Sequence, residues 1–110
     1  MEGIKKINNI NYYKILYIYN IMSLGKYLVE FIGTFIFLSV ILKTGEAIPI
    51  GIALATVIFF GGKISGGNFN PAVSIMMFMK GGLKGNDLPG YIIAQILGGV
   101  AAFSFNKMIK

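Results

Sequence analysis

The 110-residue chain has no cysteine and no histidine. Disulfides, His/Cys metal sites, a thiol nucleophile and an imidazole base are thereby excluded. Arginine is missing as well, so every basic residue is a lysine. Acids are scarce: Glu2, Glu30, Glu46 and Asp87 are all there are, too few and too dispersed to form a paired-carboxylate site. Hydrolytic or redox chemistry has little to build on, and the sequence reads as a non-enzyme with no cofactor. Charged residues make up 13% of the chain against 55% hydrophobic, with a mean hydropathy of +0.73. That balance is too apolar for a soluble domain of this size and indicates a small integral membrane protein of one domain. The net charge of +6 fits cationic loops facing the cytoplasm. The lysines do not cluster on one polar face, so no nucleic-acid partner is expected.

What the chain does have is long apolar runs. The first strong one, Tyr27 to Leu42, lies between Lys26 and Lys43. At about 1.5 Å per residue it spans roughly 24 Å, a slightly short transmembrane helix extended by snorkelling lysines. A second span is expected over about 47–61, ended by Gly61-Gly62-Lys63, and a third over about 88–106. Residues 1–22 differ, with Lys5, Lys6, Lys14, several asparagines and interspersed Ile and Tyr. Ile4, Ile7, Ile15 and Ile18 fit one helical face loosely, so this basic segment reads as disordered or as an interfacial helix. A further reading makes Met22 the true start. A signal peptide is disfavoured, because asparagines interrupt the apolar stretch and no small-residue cleavage site follows.

Between the second and third spans lies Ile64-Ser65-Gly66-Gly67-Asn68-Phe69-Asn70-Pro71-Ala72-Val73-Ser74. Asn is a strong N-cap and Pro is favoured at the first helical position, so a helix is predicted over about 70–79. Its nine or ten residues reach only about 15 Å, half a bilayer. Such a helix starts inside the membrane and aims its positive dipole end there. The non-helical backbone before it is tolerated only under protein cover or along an aqueous cavity.

Glu30-x-x-x-Thr34, Gly51-Ile-Ala-Leu-Ala-Thr56, the Asn-Pro-Ala segment and Tyr91-Ile-Ile-Ala-Gln95, in that order, resemble the first half of an aquaporin (major intrinsic protein). The resemblance covers about Leu24 to the end. It implies an all-α integral membrane fold, a half-aquaporin repeat over 23–110 with three transmembrane helices and one re-entrant half-helix. It also implies a channel component for water or small uncharged solutes such as glycerol. The family fuses two inverted halves whose half-helices meet at mid-bilayer.

Carried onto this sequence, the resemblance assigns Asn70 to cap the half-helix and donate its amide into the pore. Pro71 and Ala72 support that turn, Ala72 being small enough for two half-helices to touch. Gly66, Gly67 and Asn68, in extended backbone, would line a vestibule with carbonyls; Asn68 stands where the family often has histidine. Glu30 would accept hydrogen bonds from the re-entrant backbone, with Gln95 buttressing it from the third span. Thr34 is expected to pack or to bond the helix backbone. Gly33, Gly51, Gly98 and Gly99 suit close helix crossings.

One half cannot enclose a pore. Its partner, besides the lipid bilayer, is a second inverted copy in a homodimer, a complementary half-channel chain, or, if the chain is a fragment, nothing, leaving a non-conducting structural remnant; a higher oligomer is compatible with each conducting arrangement. Counted from Met22, Lys26, Lys63, Lys80 and Lys84 oppose Lys43, Lys107 and Lys110, a weak bias that permits dual insertion. Lys5, Lys6 and Lys14 would make it seven against three and disfavour it. The family places an arginine just after its second Asn-Pro-Ala, where Val73 stands here, and often an aromatic residue where Ile50 stands. A homodimer would line each mouth with Ile50, Ile58, Gly67 and Val73, an apolar filter.

Overall fold

The computed structural model describes the backbone of residues 2–109 and the side chains of residues 11–109. The described chain is all helical: α1 Glu2–Thr44, α2 Ala47–Ser65, α3 Pro71–Lys80 and α4 Leu88–Met108. Three of these are long and apolar enough to cross a membrane, and α3, at 10 residues, is not.

The elements end where their backbone chemistry ends them. α1 and α2 are separated by Gly45, whose φ of 61° is left-handed. α2 continues past Gly61-Gly62 to Ser65, beyond the stop expected at the glycine pair. Gly61 is buried against Val29 of α1, and that packing holds the helix together. The helix stops at Gly66, which turns left-handed (φ 88°) and donates its N–H to Gly62 O at 2.8 Å. Such a terminus favours glycine, which has no Cβ to clash. α3 starts on Asn70-Pro71 and closes at left-handed Gly81. α1 is continuous through Met22, with no break between the N-terminal segment and the span. Nothing between Lys5 and Leu24 is Gly or Pro, so no residue interrupts the helix there. Met1 and Lys110 lie outside the described residues.

α1 is the hub. α2 packs antiparallel along it, α4 packs parallel to it, and α3 packs on α4; α2 and α3 make no contact with each other. The α1–α4 crossing is close because Gly98 faces the carbonyl of Phe31 and the side chain of Thr34. At one end Lys26 Nζ meets Asp87 Oδ1 at 2.8 Å, and Tyr27 donates its hydroxyl to the same oxygen at 3.2 Å. Gly51 has nothing within 4 Å of where a Cβ would stand, so it serves no helix crossing within the chain, contrary to expectation.

Glu30, Thr34, Ser65, Asn68, Ser74 and Gln95 are buried beside Phe69, Tyr91 and smaller apolar residues, whereas large residues such as Phe59, Phe60, Ile93 and Phe103 are exposed. An apolar exterior around polar groups that face the bundle interior is the arrangement of a protein solvated by lipid.

Candidate functional site

The re-entrant turn is built from Gly66 to Asn70. Gly67 (φ 67°) and Phe69 (φ 56°) are both left-handed, so Gly66-Gly67 is not the extended stretch expected from sequence. The left-handed region is disfavoured for a bulky side chain such as Phe69 by roughly 1–2 kcal/mol. Two contacts hold Phe69 there. Its N–H donates to Glu30 Oε1 at 2.7 Å, and its ring is seated on Gly33, where any side chain on α1 would collide with it.

Glu30 organises the whole turn. It is fully buried and accepts four hydrogen bonds. Oε2 takes Ser65 Oγ at 2.6 Å and the Asn68 N–H at 3.0 Å. Oε1 takes the Phe69 N–H and Gln95 Nε2 at 2.8 Å. Gln95 spends its second N–H on Ser74 Oγ at 2.8 Å, which also receives Asn68 Nδ2 at 2.8 Å. The side chain of Asn68 is thus turned into the protein. Tyr91 closes the network from α4, its hydroxyl donating to Ser65 O at 2.6 Å. One carboxylate on α1 therefore joins the end of α2, the turn and α4, while Ser74 ties in α3.

This network aims Asn70 outward. Its backbone is extended (φ −161°, ψ 125°), and its Oδ1 accepts the Ala72 N–H at 2.8 Å. Asn70 is exposed, and its Nδ2 has no partner among the described residues. Pro71 follows at the first helical position, where a missing N–H costs nothing. No acid lies in the first turn of α3, and Lys80 sits in its last. The helix dipole therefore presents an uncompensated positive end beside the Asn70 amide. Asn70 and Gly99 line the same recess of about 630 Å³. Gly99 lies about midway along α4, roughly 16 Å from its start, so the turn stands level with the middle of that helix.

That recess opens between the later halves of α1 and α4, past the tip of α3, with Leu38 and Phe103 among its walls. Thr34 and Gln95 also line it, and their Oγ1 and Oε1 atoms are buried with no hydrogen-bond partner. Thr34 thus packs without bonding the helix backbone. The three filter candidates are not brought together. Ile58 lies under Gly67, Ile50 sits about 12 Å further along α2, and Val73 is on α3, which α2 does not touch. Outside the spans, the hydrogen bond from Lys26 holds the Asp87 carboxyl below its ordinary pKa.

Three members of the network were given no role from sequence: Ser65, Ser74 and Tyr91. Tyr91 and Gln95 are four apart on one face of α4, as are Asn70 and Ser74 at the start of α3. That spacing is the signal that could have found Tyr91 and Ser74.

The profile of the major intrinsic protein (MIP) family matches residues 17–110. Glycerol uptake facilitator protein-like 6 of Lactiplantibacillus plantarum is 45% identical over 70% of this chain and 40% of its own length. Aquaporin Z of Brucella melitensis is 45% identical, and Aquaporin Z of Photorhabdus laumondii 40% identical, each over 53% of this chain and 25% of the relative. The matched part thus spans 40% or less of these curated relatives. No solved structure matches the chain.

Proposed function

This chain belongs to the major intrinsic protein family, as an integral multi-pass membrane protein, and on that premise we propose that it supplies one half of a passive pore for water or small uncharged solutes such as glycerol. The observation that carries the reading is Asn70: an exposed amide donor at the positive end of the ten-residue helix α3, level with the middle of α4. An amide N–H₂ there donates to the oxygen of a passing water or hydroxyl, and the dipole opposes cations. Gly66, Gly67 and Asn68 contribute backbone to the vestibule, and Ile50, Ile58 and Val73 give its wall an apolar character without a fixed cationic donor. Glu30 and Gln95 hold the turn and do not meet the solute.

The pore is completed by a second, inverted half supplied from outside residues 1–110. The recess beyond Asn70 is a surface it covers. The lysine distribution over the whole sequence, seven against three, favours one orientation. It therefore favours a complementary half over an inverted copy of this chain.

Osmotic swelling of vesicles from cells expressing this chain tests the proposal. Expressed alone, it is expected to leave water and glycerol permeability at the level of empty-vector vesicles. Joined to the remaining part of the facilitator-like relative, it is expected to raise one or both. No rise in the joined protein rejects the pore, and a rise from the chain alone rejects the complementary half in favour of inverted copies.

A further inference from the structure

α1 is longer than a membrane is thick. Its 43 residues measure about 64 Å, against roughly 40–45 Å for a bilayer with its headgroups. The bundle begins at Lys26, which is tied to Asp87 at the start of α4. Every residue from Asn11 to Met22 is exposed, and only its last turn, at Ile21, borders a recess shared with α4. Continued straight, α1 would carry Tyr12 about 21 Å past Lys26, beyond the headgroups and into water. Its composition does not suit water: Ile15, Leu16, Tyr17, Ile18, Tyr19 and Ile21 run consecutively but for Asn20, and all are exposed.

The pattern around this stretch is two-sided. Ile15, Ile18 and Met22 share one face at helical spacing, with Tyr13, Tyr17 and Asn20 opposite. Tyrosine, apolar in body with a polar tip, settles at the headgroup level. The charges have one sign: no acid occurs between Glu2 and Glu30, while Lys5, Lys6, Lys14 and Lys26 do. A hinge is available where the segment meets the span. Ser23 and Gly25 lie there, the residue types at which helices kink. A Cβ built on Gly25 would meet only Ile64 Cγ2 of α2, at an ordinary contact distance of 3.9 Å, so α1 is not tightly packed at this point.

We propose that residues 11–22 bend at Ser23–Gly25 and lie in the headgroup–acyl boundary of an anionic bilayer, with the isoleucine face down and Lys14 on a lipid phosphate. The segment then anchors α1 at a fixed depth on the lysine-rich side of the membrane. The lipid surface is the occupant of this face because it alone matches apolar residues, tyrosines and a lysine-only charge pattern along one helix.

The chain contains no tryptophan, so single reporters can be introduced cleanly. Ile18→Trp tests the segment, and Ile36→Trp, exposed within the span, serves as the deep reference. The full chain is reconstituted in vesicles of phosphatidylcholine and phosphatidylglycerol, with lipids brominated either near the headgroup or near the chain terminus. Ile18→Trp is expected to be quenched at least twofold more by the shallow bromines, and Ile36→Trp by the deep ones. Replacing phosphatidylglycerol with phosphatidylcholine is expected to weaken the shallow quenching. The proposal is overturned if Ile18→Trp is quenched by neither lipid, which would place it in water or against a second copy. It is equally overturned if Ile18→Trp follows the deep pattern of Ile36→Trp, or if lipid charge has no effect. None of these readouts depends on permeability, so the outcome stands apart from that of the pore.

Discussion

Replacing Glu30 with glutamine removes a charge and almost no volume, and its consequences follow from the four donors. Phe69 N–H and Gln95 Nε2 meet Oε1, while Ser65 Oγ and Asn68 N–H meet Oε2. In glutamine one of those two positions becomes an N–H₂ group. If it replaces Oε2, Ser65 can rotate its hydroxyl and accept, but the Asn68 N–H then faces another donor. If it replaces Oε1, Gln95 can flip and offer its free oxygen, but the Phe69 N–H is stranded. Either way one buried backbone donor loses its partner, at about 1–3 kcal/mol. The surviving bonds also lose the strength that an ionised acceptor gives. The turn is therefore expected to be weakened by about 2–4 kcal/mol, and it already holds Phe69 in a left-handed conformation. Amide hydrogen exchange in detergent reads this directly. The Asn68 and Phe69 amides should exchange roughly 30- to 700-fold faster in Glu30→Gln, at about 1.4 kcal/mol per tenfold. Ala53, buried on α2, should stay near its original rate, and Glu30→Ala should exceed the glutamine effect. If the two turn amides change by less than threefold in Glu30→Gln, the carboxylate is not what holds the turn.

Asn70→Asp retains an oxygen for the Ala72 N–H, so unfolding in detergent should stay within about 0.5 kcal/mol, the range of a neutral substitution. In the joined protein it should nevertheless lower solute flux and admit cations, measured by swelling and by a cation-sensitive dye. Gly98→Ala would set a methyl 2.7 Å from Phe31 O and 3.0 Å from Thr34 Cβ, parting α1 from α4 at about 1–3 kcal/mol. Gly51→Ala, with open space around it, should be neutral or slightly stabilising; the two melting midpoints in detergent make the comparison. Asp87 has its carboxyl held below the ordinary range by Lys26. Its contribution to stability is therefore present above the ordinary carboxylate pKa of about 4 and is lost as pH falls through the lower folded value. Melting between pH 3 and 7 should show an acid-limb loss that is smaller in Asp87→Asn.

Much of the arrangement was legible because membrane physics leaves few alternatives. Asn70-Pro71 inside an apolar sequence announces a helix start by residue type alone, and the Lys80-Gly81 end shows that this helix is too short to span. A lone acid such as Glu30 within an apolar run demands partners, which narrows the search to the turn. Less legible were features that depend on what lies across a helix interface. Gly61-Gly62 reads as a stop, yet Val29 packs on Gly61 and α2 runs through it. Gly51 reads like Gly98, and only the neighbouring helix distinguishes them. Ser65 and Ser74 are small hydroxyls that suit many surroundings, so their residue type did not reveal the acceptor and donor roles they take here. The left-handed pair Gly66-Gly67 is indistinguishable from extended backbone by residue type, because glycine permits both conformations.

Placing the carboxylate on α1 also orders the assembly of the chain. Synthesis proceeds from the N-terminus, so Glu30 reaches the membrane before any of its four donors does. An ionisable group without partners in a span is unfavourable there. The first helix is therefore an incomplete anchor at one point along its length. Ser65, Asn68 and Phe69 arrive next, but the turn they form lacks its fourth bond until Gln95 follows on α4. The half-helix can set firmly only when the last span is in place, so the end of the chain decides when its middle is finished.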